Sequence, residues 1–519
     1  MHADLVFRNG PVHTMEPGAA AASSLAVRQG RIVAVGGAEQ LIGPDTEVVD
    51  LAGRAVLPGF QDAHVHPVFA GLTMIRCDLH EAGSAAEALD VIAAYARAHP
   101  EEEWISGGGW SMEWFPGGTP SRAALDAVVS DRPVHLTNRD GHGAWVNSRA
   151  LELCGVDAGT PDPVDGRIER DSDGTPQGTL HEGAAHLVGR HLPEATPELM
   201  LRALAAGQRR LHAAGVTAWQ DAMVNPRVEQ AYLAAAASGA LTGRVAGALW
   251  WDRERGEEQI PELIERRVTA GRFRTGSIKI MQDGVAENYT AAMTAPYLDG
   301  CGCRTGNSGL SFVDPELLRA HVTRLDALGF QVHVHAVGDR AVREALDAFA
   351  AAREVNGPGD NRHHIAHLQV VHPDDVPRFA ALGVTANLQP LWAAHEPQMD
   401  ELTLPFLDPE LAACQYPFGD LARAGVRLAA GSDWPVSSPD PFEGIHVAVN
   451  RRVPGGDGPD FLPGQRLDLA TALAAYTSGT ARVNRLEEST GTLSTGKLAD
   501  LVVTDRDPFA VPVDELGLT

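Results

Sequence analysis

Eight short apolar runs in the middle of the chain constrain its fold more than any other feature. They are PGFQDAHVH (58–66), VTAWQDA (216–222), RVAGALW (244–250), SIKIMQDG (277–284), QVHVHAVG (331–338), HHIAHLQV (363–370), VTANLQP (384–390) and RLAAGSDWP (427–435). Runs of this kind suit strands of a parallel sheet buried on both faces. Segments with helical spacing separate most of them, including PELLRAHVTRLDALG and DRAVREALDAFAAAREV. Eight strands alternating with helices predict an α/β fold, a (β/α)8 TIM barrel, with its active site at the C-terminal strand ends.

Roughly 150 residues separate the first run from the second, far beyond an ordinary βα loop. A large insertion after barrel strand one, about 68–205, is therefore expected, with its own secondary structure and covering the barrel mouth. Its centre is GGGWSMEWFPGG, and Trp104, Trp110, Trp114 and Trp145 fall inside it. The ends of the chain read differently. DLVFRNG, RIVAVG and EVVDLAGRAVLPG close on Gly or Asn-Gly turns, and GTLSTGKLADLVVTDRDP near the C-terminus repeats the style. Residues 1–56 and 484–519 are thus expected to form one small composite β-sandwich domain beside a barrel spanning 57–483.

The formal net charge of −26 repels phosphate backbones, which argues against nucleic acid as a partner. No stretch approaches the ~18 uninterrupted apolar residues of a membrane span, so no membrane partner is expected. MHADLVFRNGPVH lacks the basic start and apolar run of a secretion signal. Five scattered cysteines (77, 154, 301, 303, 414) fit a reducing compartment, so a cytoplasmic location is expected. Cys301-Gly-Cys303, with no other Cys or His beside it, reads as a pair of loop thiols. A homodimer is expected only because it is the commonest assembly.

The chemistry gathers at the ends of the runs. Side chains alternate along a strand, so His64 and His66 of Asp62-Ala-His64-Val-His66-Pro face the same way and can reach one metal. Lys279 sits between Ile278 and Ile280, where a charged amine is costly unless paired or modified. Burial favours the neutral amine that adds carbon dioxide, giving an anionic carbamate ligand; the alternative is an ion pair with Asp283, of the same parity. His335 ends the fifth run, with His333 deeper on the same face in a supporting role. His367 ends the sixth, where His363 and His364 compete with it. Asp433 ends the eighth in Gly-Ser-Asp433-Trp-Pro, placed to hold a water and take its proton, with Gly431 allowing close backbone approach.

With these residues in place the sequence resembles the amidohydrolase superfamily, in its amidohydrolase-3 (YtcJ-like) branch. LPGFQDAHVHP, RPVHLTNRDGHGAWVNSRAL, KIMQDGVAEN, GFQVHVHAVGDRAV, GSDWPV and GTLSTGKLADLVV carry the resemblance through most of the chain. It implies metal and catalytic roles for His64, His66, Lys279, His335, His367 and Asp433, with one or two ions, zinc or another divalent metal. Where relatives commonly carry Glu-His at the end of strand six, this chain has Ala366-His367.

Within that branch, KIMQDGVAENYTAAM followed by PYLD is similar to N-substituted formamide deformylases. The resemblance implies hydrolysis of a small amide on an apolar amine, with Asp433 and Lys279 catalytic. Trp110, His142 and Trp434 are the candidate substrate contacts. Ester or lactone hydrolysis shares this machinery, whereas deaminase sites generally lack the lysine. A non-catalytic binding protein keeping the fold would be expected to lose ligands, and all six positions are filled.

Overall fold

A computed structural model describes residues 2–519. Each of the eight apolar runs coincides with or overlaps one strand of a parallel barrel, β2 running two residues past its run and β4 starting four residues before its own. In chain order these are β1 (Phe60–Val65), β2 (Val216–Val224), β3 (Arg244–Trp250), β4 (Phe273–Met281), β5 (Gln331–Ala336), β6 (His364–His367), β7 (Thr385–Leu388) and β8 (Leu428–Ala430). Consecutive strands pair in parallel from β1 to β8. Closure is made past the end of β8, where the Asp433 N–H donates to His64 O at 2.8 Å and the His66 N–H to Trp434 O at 2.9 Å.

The last three strands are shorter than their runs, and this matters for the site. β8 stops at Ala430, so Asp433 lies in the turn beyond it and not on the strand. The same holds for Asp283, which follows the end of β4 at Met281. Strand parity therefore does not govern where either carboxylate points.

Helices pack outside the strands. The helix Pro315–Ala327 starts at Asp314, whose carboxylate accepts the N–H groups of Glu316 and Leu317 at 2.9 and 3.2 Å. These are two of the donors that a helix start leaves unpaired. Asp339–Asn356 follows, burying Val342, Leu346 and Phe349 on one stripe. Both coincide with segments whose apolar spacing is helical.

The two ends of the chain build one six-stranded sheet. Leu5–Val12, Ala22–Arg28, Arg31–Val35, Glu47–Asp50 and Ala55–Pro58 are completed by Leu501–Thr504, which pairs antiparallel with Ala55–Pro58. The final residues pack on the barrel side: Leu516 is buried and the Gly517 N–H donates to His446 Nδ1.

The insertion has a sheet of its own, six strands between Cys77 and Glu182. The helices Pro67–Met74 and Pro197–Ala213 flank it and pack closely through small residues. A Cβ at Gly71 would stand 1.9 Å from Ala203 O, and one at Gly207 would stand 2.1 Å from Pro67 O.

Candidate metal centre

Where β8 meets β1, Asp62 joins the two strand ends. Its Oδ1 accepts the His64 N–H at 2.9 Å, and its Oδ2 accepts the Ser432 hydroxyl at 2.6 Å. Gly431 makes this approach possible, since a Cβ there would lie 2.5 Å from His64 N and 2.8 Å from Asp62 Oδ1. The turn then brings Asp433 over the β1 histidines. Asp433 Oδ1 lies 3.0 Å from His66 Nε2 and 3.4 Å from His64 Nε2. Despite these distances Oδ1 has no hydrogen bond, because the angles do not suit one. Imidazole nitrogens and a carboxylate oxygen therefore converge on a point rather than on each other.

His367 joins them from β6. Its ring is 4.6 Å from that of His64 and 4.3 Å from that of His335, between centroids. Donor atoms of His64, His367 and Asp433 lie within 4.8 Å of one another. Both His367 nitrogens are buried without a partner, as is Lys279 Nζ. Buried polar atoms are nearly always satisfied, so unpaired donors facing a common space fit a metal. His367 and Asp433 also hold positive φ, 81° and 55°, a conformation that costs non-glycine residues and concentrates at functional sites. Imidazole and carboxylate donors suit zinc and its neighbours among divalent ions.

Burial, and after it the proximity of Lys279, holds the His64 and His367 imidazoles well below the usual histidine range, in the neutral form that ligates. Burial and His367 do the same for His335. Burial pushes the Lys279 amine down to about 7. The sequence alternative of a Lys279–Asp283 ion pair is not formed. Asp283 instead accepts the N–H groups of Ala292, Val337 and Gly338 at 2.9, 3.0 and 2.8 Å, and its Oδ1 lies 3.1 Å from His335 Nδ1. That contact orients the ring and leaves Nε2 for the cavity. His333 supports His64 in the same way, with Nε2 3.0 Å from His64 Nδ1. At β6, beside Ala366, Gln389 Oε1 accepts the His367 backbone N–H at 2.7 Å.

His64, His66, Lys279, His335, His367 and Asp433 all line one cavity of about 720 Å³ between the barrel mouth and the insertion. His142 enters it from the insertion, its ring 5.5 Å from that of His335. Its Nδ1 pairs with Glu182 Oε2 at 2.9 Å, and Thr290 donates to the other oxygen at 2.7 Å. Burial alone would push the His142 imidazole down; the Glu182 carboxylate outweighs it and raises the group to about 9. Glu182, itself at a positive φ of 50°, escaped sequence reasoning because nothing local marks it as the partner of a histidine 40 residues away.

Two expected substrate contacts require correction. Trp110 is only 1 % exposed and packs against Phe115 and Trp145 inside the insertion, its Nε1–H donating to Leu136 O at 2.9 Å. It belongs to the insertion's own apolar core, holding the insertion together, and does not line the cavity. Trp434 is buried in the barrel core, and its backbone carbonyl, not its indole, serves the site by accepting from His66. The aromatic walls come instead from Phe69, Trp250, Trp251 and Phe312.

Comparison with known proteins bears on this centre directly. Residues 47–518 match the amidohydrolase family. The chain is 32% identical to Protein LONG AFTER FAR-RED 3 of Arabidopsis thaliana, over 98% of this chain and 88% of that protein. It is 28% identical to an N-substituted formamide deformylase of Arthrobacter pascens, over 99% of this chain and 95% of that enzyme. The crystal structure of an uncharacterized metal-dependent hydrolase from Pyrococcus horikoshii OT3 superposes with a TM-score of 0.77 at 26% identity, covering 98% of this chain and 99% of that one.

Proposed function

The chain belongs to the amidohydrolase family, and from that premise we propose that it hydrolyses the carbon–nitrogen bond of a small amide at a divalent metal centre, with zinc as the ion. One observation carries the reading: donor atoms of His64, His367 and Asp433, from three separate strand ends, lie within 4.8 Å of one another, with both His367 nitrogens and Asp433 Oδ1 left without a hydrogen-bond partner. A divalent ion held there supplies Lewis acidity, activating water and polarising the substrate carbonyl.

The protein's own groups do the rest. Asp433 holds the attacking water and takes its proton at a carboxylate oxygen, then delivers it to the leaving amine nitrogen as the C–N bond breaks. His64, His66, His335 and His367 hold the ion. Lys279, uncharged or as its carbamate, completes the set. His142, protonated by virtue of Glu182, donates towards the carbonyl oxygen as negative charge develops on it. Phe69, Trp250, Trp251 and Phe312 supply apolar walls for the amine substituent. The substrate class, a formamide or related amide, takes support from the deformylase relative and from these walls.

The test is to assay zinc-loaded protein against N-substituted formamides, N-acyl amino acids and simple esters, before and after chelation. Metal-dependent release of amine is the expected result. Cleavage confined to esters would overturn the carbon–nitrogen reading.

A further inference from the structure

The loop that follows β4, from Gln282 to the helix at Pro315, touches both sides of the cavity. Its first part closes on itself at Thr290, which is buried. The Thr290 N–H donates to Val285 O at 3.1 Å, and the Thr290 hydroxyl accepts the Val285 N–H at 3.0 Å. Two residues on, the Ala292 N–H donates to Asp283 Oδ2 at 2.9 Å. Thr290 thus stands at the neck of the turn that cradles Asp283, and Asp283 in turn sets the His335 ring.

The same hydroxyl reaches the insertion. There Gly143 pairs antiparallel with His181, which leaves His142 and Glu182 opposite each other where the two strands meet the cavity. The Glu182 N–H donates to His142 O at 2.7 Å. Its carboxylate holds His142 Nδ1 with Oε2, while Oε1 accepts the Thr290 hydroxyl at 2.7 Å. Gly284 lets Glu182 approach, since a Cβ there would collide with both Thr290 Oγ1 and Glu182 Oε1. Asn288, fully buried in the same turn, donates from Nδ2 to His142 O at 3.1 Å.

The contacts run His142–Glu182–Thr290–Asp283–His335. They close into a circuit across the cavity, where the His142 and His335 rings lie 5.5 Å apart. A buried carboxylate that loses a donor is costly, so Glu182 is held best when the turn is closed, and the closed turn is the one that presents Ala292 to Asp283.

We propose that Thr290 is a positioning residue that couples the insertion to the metal centre, its hydroxyl holding the His142–Glu182 arm in the same arrangement of the 283–292 turn that fixes Asp283 against His335. Thr290 does not line the cavity; it acts through Glu182 on one side and Asp283 on the other. This coupling rests on the reading of His335 as a metal ligand. Coupling between two sites is reciprocal, so zinc at His335 steadies Glu182, and loss of the Thr290–Glu182 contact weakens zinc.

Zinc affinity of the full chain is measured by competition with a chelator. Thr290→Val keeps the shape and removes the hydroxyl; it should weaken zinc binding about two- to thirtyfold, the range for coupling residues that touch no ligand. Thr290→Ser restores the hydroxyl and should bind zinc as the wild type does. In the double variant Thr290→Val/Asp283→Asn the loss should not exceed that of Asp283→Asn alone, because both act along one route. Unchanged affinity in Thr290→Val would overturn the proposal, and so would losses that multiply in the double variant.

A second measurement needs no variant. Peptide-level hydrogen exchange on the wild-type protein should show zinc slowing exchange in 283–292 and also in the insertion strand Pro176–Glu182. Slowing confined to 283–292 would overturn the coupling and leave the metal centre standing. Absence of zinc binding by the wild type would overturn the metal reading, and the coupling with it.

Discussion

Asp283 Oδ1 lies 3.1 Å from His335 Nδ1, although neither residue marks the other in the sequence and 52 positions separate them. The carboxylate is fully buried, and burial raises it to about 7 against three backbone N–H donors. It is thus a rigid fixture that sets the orientation of a ring at the metal centre.

Asp283→Asn keeps the shape but turns an amide N–H group towards donors that need an acceptor. Metal affinity should fall roughly 10- to 100-fold, as is usual when the partner of a ligating histidine is lost. Competition with a chelator measures it. Unchanged affinity would show that His335 needs no such partner.

Asp433→Asn removes the proton acceptor while leaving an oxygen at the same point. Turnover should drop by about 10²–10⁴, the range for a general base, with metal still present by elemental analysis. Retained activity would move the role of base elsewhere.

Lys279 gives the pH dependence. Its buried amine in the metal-free protein is held down to about 7, so it loses its proton as pH rises through that value. Only the neutral amine adds carbon dioxide; its fraction grows from roughly a tenth one unit below to roughly nine tenths one unit above. Reconstitution with zinc and bicarbonate should therefore be more complete at about pH 8 than at about pH 6, and Lys279→Met should abolish the bicarbonate effect. A yield that ignores bicarbonate would mean that the amine acts unmodified.

Trp110→Phe separates packing from substrate contact. Losing the hydrogen bond to Leu136 O and part of the ring volume should cost about 1–3 kcal/mol and lower the Tm. Amide turnover below the transition should stay as it was. A selective rise in KM would return Trp110 to the cavity.

The legible part of the site was the part that strand periodicity governs. His64 with His66, and His333 with His335, share faces because successive side chains alternate, and the apolar runs locate their strands. Reasoning by parity failed where a strand ended early. Asp283 was read as a candidate for Lys279 because both sit on one run, yet β4 stops at Met281 and the chain turns Asp283 to His335. Tryptophans misled for a related reason: an aromatic residue near a strand end suits a cavity and a core equally, and only packing separates Trp110 from Trp250.

The amino-acid order alone therefore determined the barrel, the number of its strands and the inward faces of its histidines, all consequences of spacing within a few neighbouring residues. Tertiary structure decided the rest. Closure of β8 onto β1 brings Asp433 to within 3.0 Å of His66, and folding the insertion over the barrel mouth puts Glu182, His142, Arg76 and Arg139 around the same cavity. Those meetings join residues tens to hundreds of positions apart, and no local periodicity encodes the path the chain takes between them.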